Sequence, residues 1–174
     1  MLIAASFAMA EETATRTYQL PDHGFIQLQV PKSWREELRQ PPGLLPPTIV
    51  FSSKTGASFK VLLTLLFSVR QDMAMPTPSE VKRNVERAAE GAQRQAVEKT
   101  ISIKELKGPP VIGYYFSATD RSPKPGEYRY MIQGMLRVGD LAPTFTILTN
   151  KGAENINVES LSMLMSAIHA DRAP

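Results

Sequence analysis

Residues Gly24–Trp34, GFIQLQVPKSW, constrain the fold more than any other stretch of the chain. Ile26, Leu28 and Val30 fall on one face of this segment, and Phe25, Gln27 and Gln29 on the other. That is the two-residue period of a strand, and its aliphatic face needs a covering layer. Pro31 has no N–H to give to a ladder, so pairing should weaken there. Trp34, the only tryptophan, follows the proline and offers a large apolar ring for burial.

The rest of the chain reads mainly as strands and turns. Residues 11–17 are polar and are expected to be flexible, with Tyr18–Leu20 a short edge strand. Pro21-Asp22-His23-Gly24 signals a turn. Arg35–Gln40 fits a helical turn, and the loop 41–47 holds Pro41, Pro42, Pro46 and Pro47, which excludes helix and central strand. Thr48–Ser53 and Ser58–Val69 make a hairpin around Lys54–Ala57. The second strand carries Phe59, Val61, Leu63, Leu65, Phe67 and Val69 on one face and a mixed set on the other, as befits a central strand. Thr77, Pro78, Ser79 and Glu80 open a helix with Thr77 as its cap. Val81, Val85, Ala88, Ala92 and Ala96 give this helix a thin stripe suited to close packing on a sheet. Strands follow at Ile101–Leu106, Val111–Thr119, Tyr128–Val138 and Leu141–Thr149. Gly139-Asp140 has the form of a tight hairpin turn, and Pro143 points to an edge or a bulge. Asn157 is placed as the cap of a last helix whose apolar face is Val158, Leu161, Leu164, Met165 and Ile168. Hairpins dominate, so the expected fold class is α+β, a mainly antiparallel sheet flanked by two amphipathic helices.

Composition narrows the function. Apolar residues at 43% and charged ones at 21% match a globular chain, so neither a disordered tail nor a bundle of membrane spans is expected. The net charge is +3 and no Lys/Arg run exceeds two residues, which argues against a nucleic-acid stripe. There is no cysteine, which removes disulfides, thiolate chemistry, Cys-ligated zinc, iron–sulfur clusters and a lipoprotein anchor. Residues 1–10, MLIAASFAMA, are apolar and small and end in Ala8-Met9-Ala10, the pattern of a partial signal peptide. No other run is long and apolar enough for a transmembrane anchor. The expected organisation is a partial signal peptide over 1–10, a flexible segment over 11–17 and one domain over 18–170.

The segment Phe25–Trp34, aromatic and aliphatic and ending in Pro31-Lys32-Ser33-Trp34, resembles the early strand of the PsbP-like family, named for an extrinsic subunit of photosystem II. The order after it agrees: a hairpin, a helix entered through Ser79-Glu80, a meander ending in Tyr128–Thr149, and a C-terminal helix. The resemblance spans about residues 18–170. It implies an α/β/α sandwich around an antiparallel sheet, a fold shared with small bacterial envelope proteins of unknown role and a Ran-binding import factor. It carries over no metal-contacting or partner-contacting residue, and it does not imply photosynthesis. The absence of cysteine departs from the lipid-anchored bacterial relatives.

Chemistry-bearing residues are sparse. His23 and His169 are the only histidines, and a surface or helix-capping role accounts for each. No G-x-S-x-G, Gly-rich phosphate loop or H-E-x-x-H is present. Asp120, Glu127 and Asp140 sit in loops of the last meander, where two could meet as acid and base. Met73-x-Met75 and Met163-x-Met165 have thioether spacing for Cu(I), but Met165 is expected to join the core stripe and Met163 to point elsewhere. Two recognition surfaces remain. Tyr114, Tyr128 and Tyr130 could line a ligand groove, with cross-strand packing as the alternative. Leu44, Leu45, Met73 and Met75, in segments expected to be exposed, could form a partner-binding patch, or fold back on the core edge.

These observations lead to an exported, non-enzymatic binding or assembly-support module with a protein partner in the bacterial cell envelope, periplasmic or secreted. They assign no catalytic residue, metal or cofactor. The alternatives are an enzyme with a carboxylate or histidine site in the sheet cleft, and a small-ligand or metal carrier.

Overall fold

The computed structural model describes residues 11–43, 45–56, 58–67, 74–150 and 153–170. Among them the order is β1 (Thr13–Gln19), β2 (Phe25–Pro31), β3 (Trp34–Arg39), β4 (Thr48–Ser53), β5 (Phe59–Thr64), α1 (Pro78–Gln93), β6 (Lys104–Gly108), β7 (Val111–Thr119), β8 (Tyr130–Arg137), β9 (Thr144–Thr149), α2 (Glu154–Met165) and β10 (Ile168–Ala170). The strands form two sheets, β1-β2-β10 and β3-β4-β5-β9-β8-β7-β6. All pairings are antiparallel.

Strand alternation decides what covers each face of the large sheet. On one face Phe59, Val61 and Leu63 join Ile49, Phe51, Phe145 and Ile147, and the small sheet closes over them with Ile26, Leu28 and Val30. Helix α2 completes that layer through Met163 and Leu164. On the opposite face α1 packs Val81, Val85 and Ala89 against Phe116, Ala118 and Met135 of β7 and β8. The molecule is therefore an α+β sandwich of helix, large sheet, and small sheet with helix. Each fully buried aliphatic or aromatic side chain in these cores contributes about 1.5–3 kcal/mol.

Helix α1 starts where expected. The Thr77 side chain accepts from the Glu80 N–H, and the Glu80 carboxylate accepts from the Thr77 N–H at 2.7 Å, a reciprocal capping box. Val81, Val85 and Ala96 of the expected stripe are buried, while between them Ala89 is the buried residue and Ala88 and Ala92 are only partly so.

Strand β2 has the predicted inner face, yet it is the centre of the small sheet. Pro31 costs it nothing. Leu20 N–H donates to Gly24 C=O and Lys32 N–H to Glu12 C=O, so hydrogen-bonded pairs between β1 and β2 fall at even positions. The nitrogen of Pro31, at an odd position opposite Thr13, points away from β1, beyond the reach of β10, which begins opposite Gln27 and runs away from Pro31.

Several expectations need correction. Residues 13–17 are part of β1, since a β-branched polar segment pairs through its backbone with β2 along its whole length. Arg35–Arg39 continues β3 from Trp34, because register with β4 overrides the helical propensity of Glu and Arg. The hairpin partner β5 ends at Thr64, and Phe67 makes only an isolated bridge to Leu141. The strand expected at 101–106 is Lys104–Gly108. Strand β9 is central, between β5 and β8. Pro143 precedes it, forfeiting one bond while its C=O still accepts from Leu136 N–H at 2.8 Å. Helix α2 is capped at Ala153, four residues before the expected cap Asn157, and without a side-chain bond. Its buried residues are Ser160, Met163 and Leu164. Met163, not Met165, is the one fully inside, Val158 is exposed, and Ile168 belongs to β10.

Candidate functional site

The three tyrosines do not form a groove. Tyr114 pairs opposite Met135 and faces α1, where its hydroxyl donates weakly to Glu105 Oε1 at 3.4 Å. Tyr130 shares its face with Ile132, on the other side of the sheet, and lies opposite Thr119 at the far end of β7. Tyr128 precedes β8 and so shares no strand face with Tyr130. Strand parity separates the first two, and the late start of β8 removes the third.

Tyr128 instead borders a cleft of about 490 Å³ between the end of α1 and the start of β8. Thr119, Asp120, Glu127 and Arg129 also line it. Its walls are tied together. Val97 N–H donates to Thr119 C=O at 2.8 Å, Arg121 donates to Ala96 C=O at 2.8 Å, and Glu98 accepts from both the N–H and the hydroxyl of Thr119. Burial raises the Glu98 carboxyl, but these bonds outweigh it and hold the group below its ordinary value. Asp120 Oδ1 accepts from Ser122 N–H and Glu127 Oε2 from Lys124 N–H, both at short range. The carboxylates thus fasten the loop 120–129. Asp140 lies at the opposite end of β8, so the three loop carboxylates do not converge.

The proline loop and the segment after β5 leave the same end of the large sheet. Leu65 N–H donates to Pro47 C=O at 2.9 Å, and the hydroxyls of Thr48 and Thr64 meet at 2.9 Å. Leu45 stands 59% exposed on this loop, and Leu38, at the end of β3 just before it, is 48% exposed. Met75 is half-buried and folds onto the cluster beneath α1. Leu44 and Met73 lie outside the described residues. Among the described residues the exposed large apolar side chains at this end are Leu38 and Leu45, and a segment that fits a helical turn, Arg35–Gln40, gives no sign of Leu38 in the sequence.

The two histidines meet, which nothing in their spacing announced. His169 lies on β10 rather than on the last helix. Its Nδ1 accepts from Asp140 N–H at 3.2 Å and its Nε2 lies 2.9 Å from the His23 C=O, so the ring proton belongs on Nε2. The His23 ring stacks on Phe67 at 4.2 Å. The His169 imidazole thus ties the Gly139-Asp140 turn to the turn at His23.

Two acidic side chains do come together beside Trp34, where Glu11 and Glu159 line a common cavity. Burial raises the Glu159 carboxyl, and the neighbouring Glu11 raises it further. Among the described residues no group of three His, Asp or Glu side chains is placed to hold a metal ion, and no helix is long and apolar enough to cross a membrane.

No protein-family model and no curated protein matches the chain. Solved structures do. The solution structure of cyanobacterial PsbP (CyanoP) from Synechocystis is similar with a TM-score of 0.52 at 11% identity, over 97% of this chain and 99% of that one. A crystal structure from Bacteroides thetaiotaomicron gives a TM-score of 0.53 at 11% identity, covering 88% of this chain and 48% of that one. The chain thus spans about half the length of the Bacteroides protein. At such identity the likeness concerns the fold, and the fold is PsbP-like.

Proposed function

We propose that this PsbP-like chain is an exported, non-enzymatic module that binds, or supports the assembly of, a protein component of a bacterial cell envelope. The observation that carries the reading is the end of the large sheet where Leu45 and Leu38 stand exposed on a proline-stiffened loop and the strand leading into it. Prolines limit the entropy lost when such a loop is immobilised by a partner. End-to-end likeness to CyanoP, an extrinsic type of fold by the resemblance already described, agrees with a docking role. Export is supported by the small-x-small sequence Ala8-Met9-Ala10, which ends three residues before β1 begins.

Pull-down from envelope extract tests the surface. Leu44→Asp/Leu45→Asp should lose the partner that wild type retains, while Val158→Asp, exposed on α2, should keep it. Unchanged recovery with the double variant would sink the loop surface. N-terminal sequencing tests export: the mature protein should begin at Glu11, and an intact Met1 on a purely cytoplasmic form would refute it.

A further inference from the structure

Among the described residues the two sheets have four edge strands, β1 and β10 in the small sheet and β3 and β6 in the large one. Folded proteins blunt such edges, because a row of unpaired N–H and C=O groups is a template for another strand. Three of these four are blunted by recognisable devices. Strand β3 is WREELR, with four charges in six residues. Strand β6 is KELKG, with three in five. Strand β10 is only three residues long. Strand β1, TATRTYQ, has neither protection: it is seven residues long and carries the single charge of Arg16.

Its free groups can be named. The hydrogen-bonded pairs with β2 fall at even positions, as Leu20–Gly24 and Glu12–Lys32 show. The N–H and C=O of Thr13, Thr15, Thr17 and Gln19 therefore point away from β2, toward the open edge. No described residue accepts or donates there. The register is regular along all seven residues, and the side chains are locked by their neighbours: Gln29 Nε2 donates to Thr15 Oγ1 at 2.9 Å and Gln27 Nε2 to Thr17 Oγ1 at 3.3 Å.

We propose that β1 is a strand-addition site, which takes an extended, seven-residue segment of a partner protein as a fourth strand of the small sheet. The chemistry of the occupant follows from the inward face of β1, Ala14, Arg16 and Tyr18. Arg16 pairs loosely with Glu36 at 3.5 Å and is 44% exposed, so it favours a carboxylate opposite it. A second copy of this chain fits badly. The antiparallel register that satisfies every free group sets Thr13 against Gln19 and Thr15 against Thr17, and brings two Arg16 side chains face to face in a close pair. This surface is separate from the loop end bearing Leu45, and either can stand without the other.

The test uses the full chain and a capped heptapeptide, Thr-Val-Thr-Glu-Thr-Val-Thr, followed by backbone amide NMR. The peptide should shift the amides of Thr13, Thr15, Thr17 and Gln19 and slow their exchange. Methylating the nitrogens of its third and fifth residues should weaken binding about tenfold or more, as lost backbone bonds require. Lys in place of Glu should weaken it about threefold. Thr15→Pro removes an edge N–H that β2 does not use, so it should keep the wild-type circular dichroism and lose the peptide. If that variant misfolds, the methylated peptide still decides on unaltered protein. Three results would overturn the proposal: no shift at millimolar peptide, binding indifferent to methylation, or β1 edge amides already protected in the free monomer. A concentration-dependent dimer protected at these four amides would make the occupant a second copy, and so overturn the commitment to a foreign strand.

Discussion

Trp34 is 2% exposed, with its ring 4.8 Å from Phe59 and 6.3 Å from Phe51. Trp34→Ala should therefore cost about 3–5 kcal/mol in urea denaturation, and a variant as stable as wild type would show that this packing is not formed. Gly139 is constrained twice. Its φ is +54°, and a Cβ there would stand 2.6 Å from His169 Nδ1. Gly139→Ala should lose about 1–3 kcal/mol. His169→Ala in that background should restore the steric part, so the double variant should be less destabilised than the two single losses added together. Strict additivity of the two, measured by the same denaturation, would contradict the contact.

Two element-level junctions carry opposite pH dependence. Glu98 ties the chain after α1 to the end of β7, and its folded pKa is lowered. A lowered carboxyl contributes stability above its unfolded value, and that contribution is lost as pH falls through the folded value. Glu159, on α2, is raised by burial and by Glu11, so its contribution is present in acid and lost as pH rises through the folded value. Glu98→Gln should lower Tm at pH 7 and converge on wild type in acid. Glu159→Gln should raise Tm at pH 7 and converge in acid likewise. Thermal melts from pH 3 to 7 check both; parallel curves for variant and wild type would remove the assigned cause.

Elements with a strong local signal were legible in the sequence: the period of Ile26, Leu28 and Val30, the Thr77–Glu80 box, the tight turn at Gly139. Those decided by long-range pairing were not. Strand β3 is charged enough to read as helix, and only β4 beside it makes it a strand. Strand β10 has three residues, too few for any period to show. The candidate site fared likewise. Leu45 is where the proline loop suggested, but the tyrosines were separated by strand parity and a late strand start, which depend on register.

At the scale of the whole molecule, β2 lies between strands from the two ends of the described chain. On one side it takes β1 across a short turn; on the other it takes β10, with Ser166 Oγ accepting from Gln29 N–H at a separation of 137 residues. A lone two-stranded hairpin is marginal in water. The small sheet therefore cannot finish until β10 has been made, and β2 lacks one of its two neighbours until then. Such distant closure slows folding, because the entropy of joining the ends is spent before the contacts return it. A domain built this way keeps its small sheet open until β10 comes back to β2.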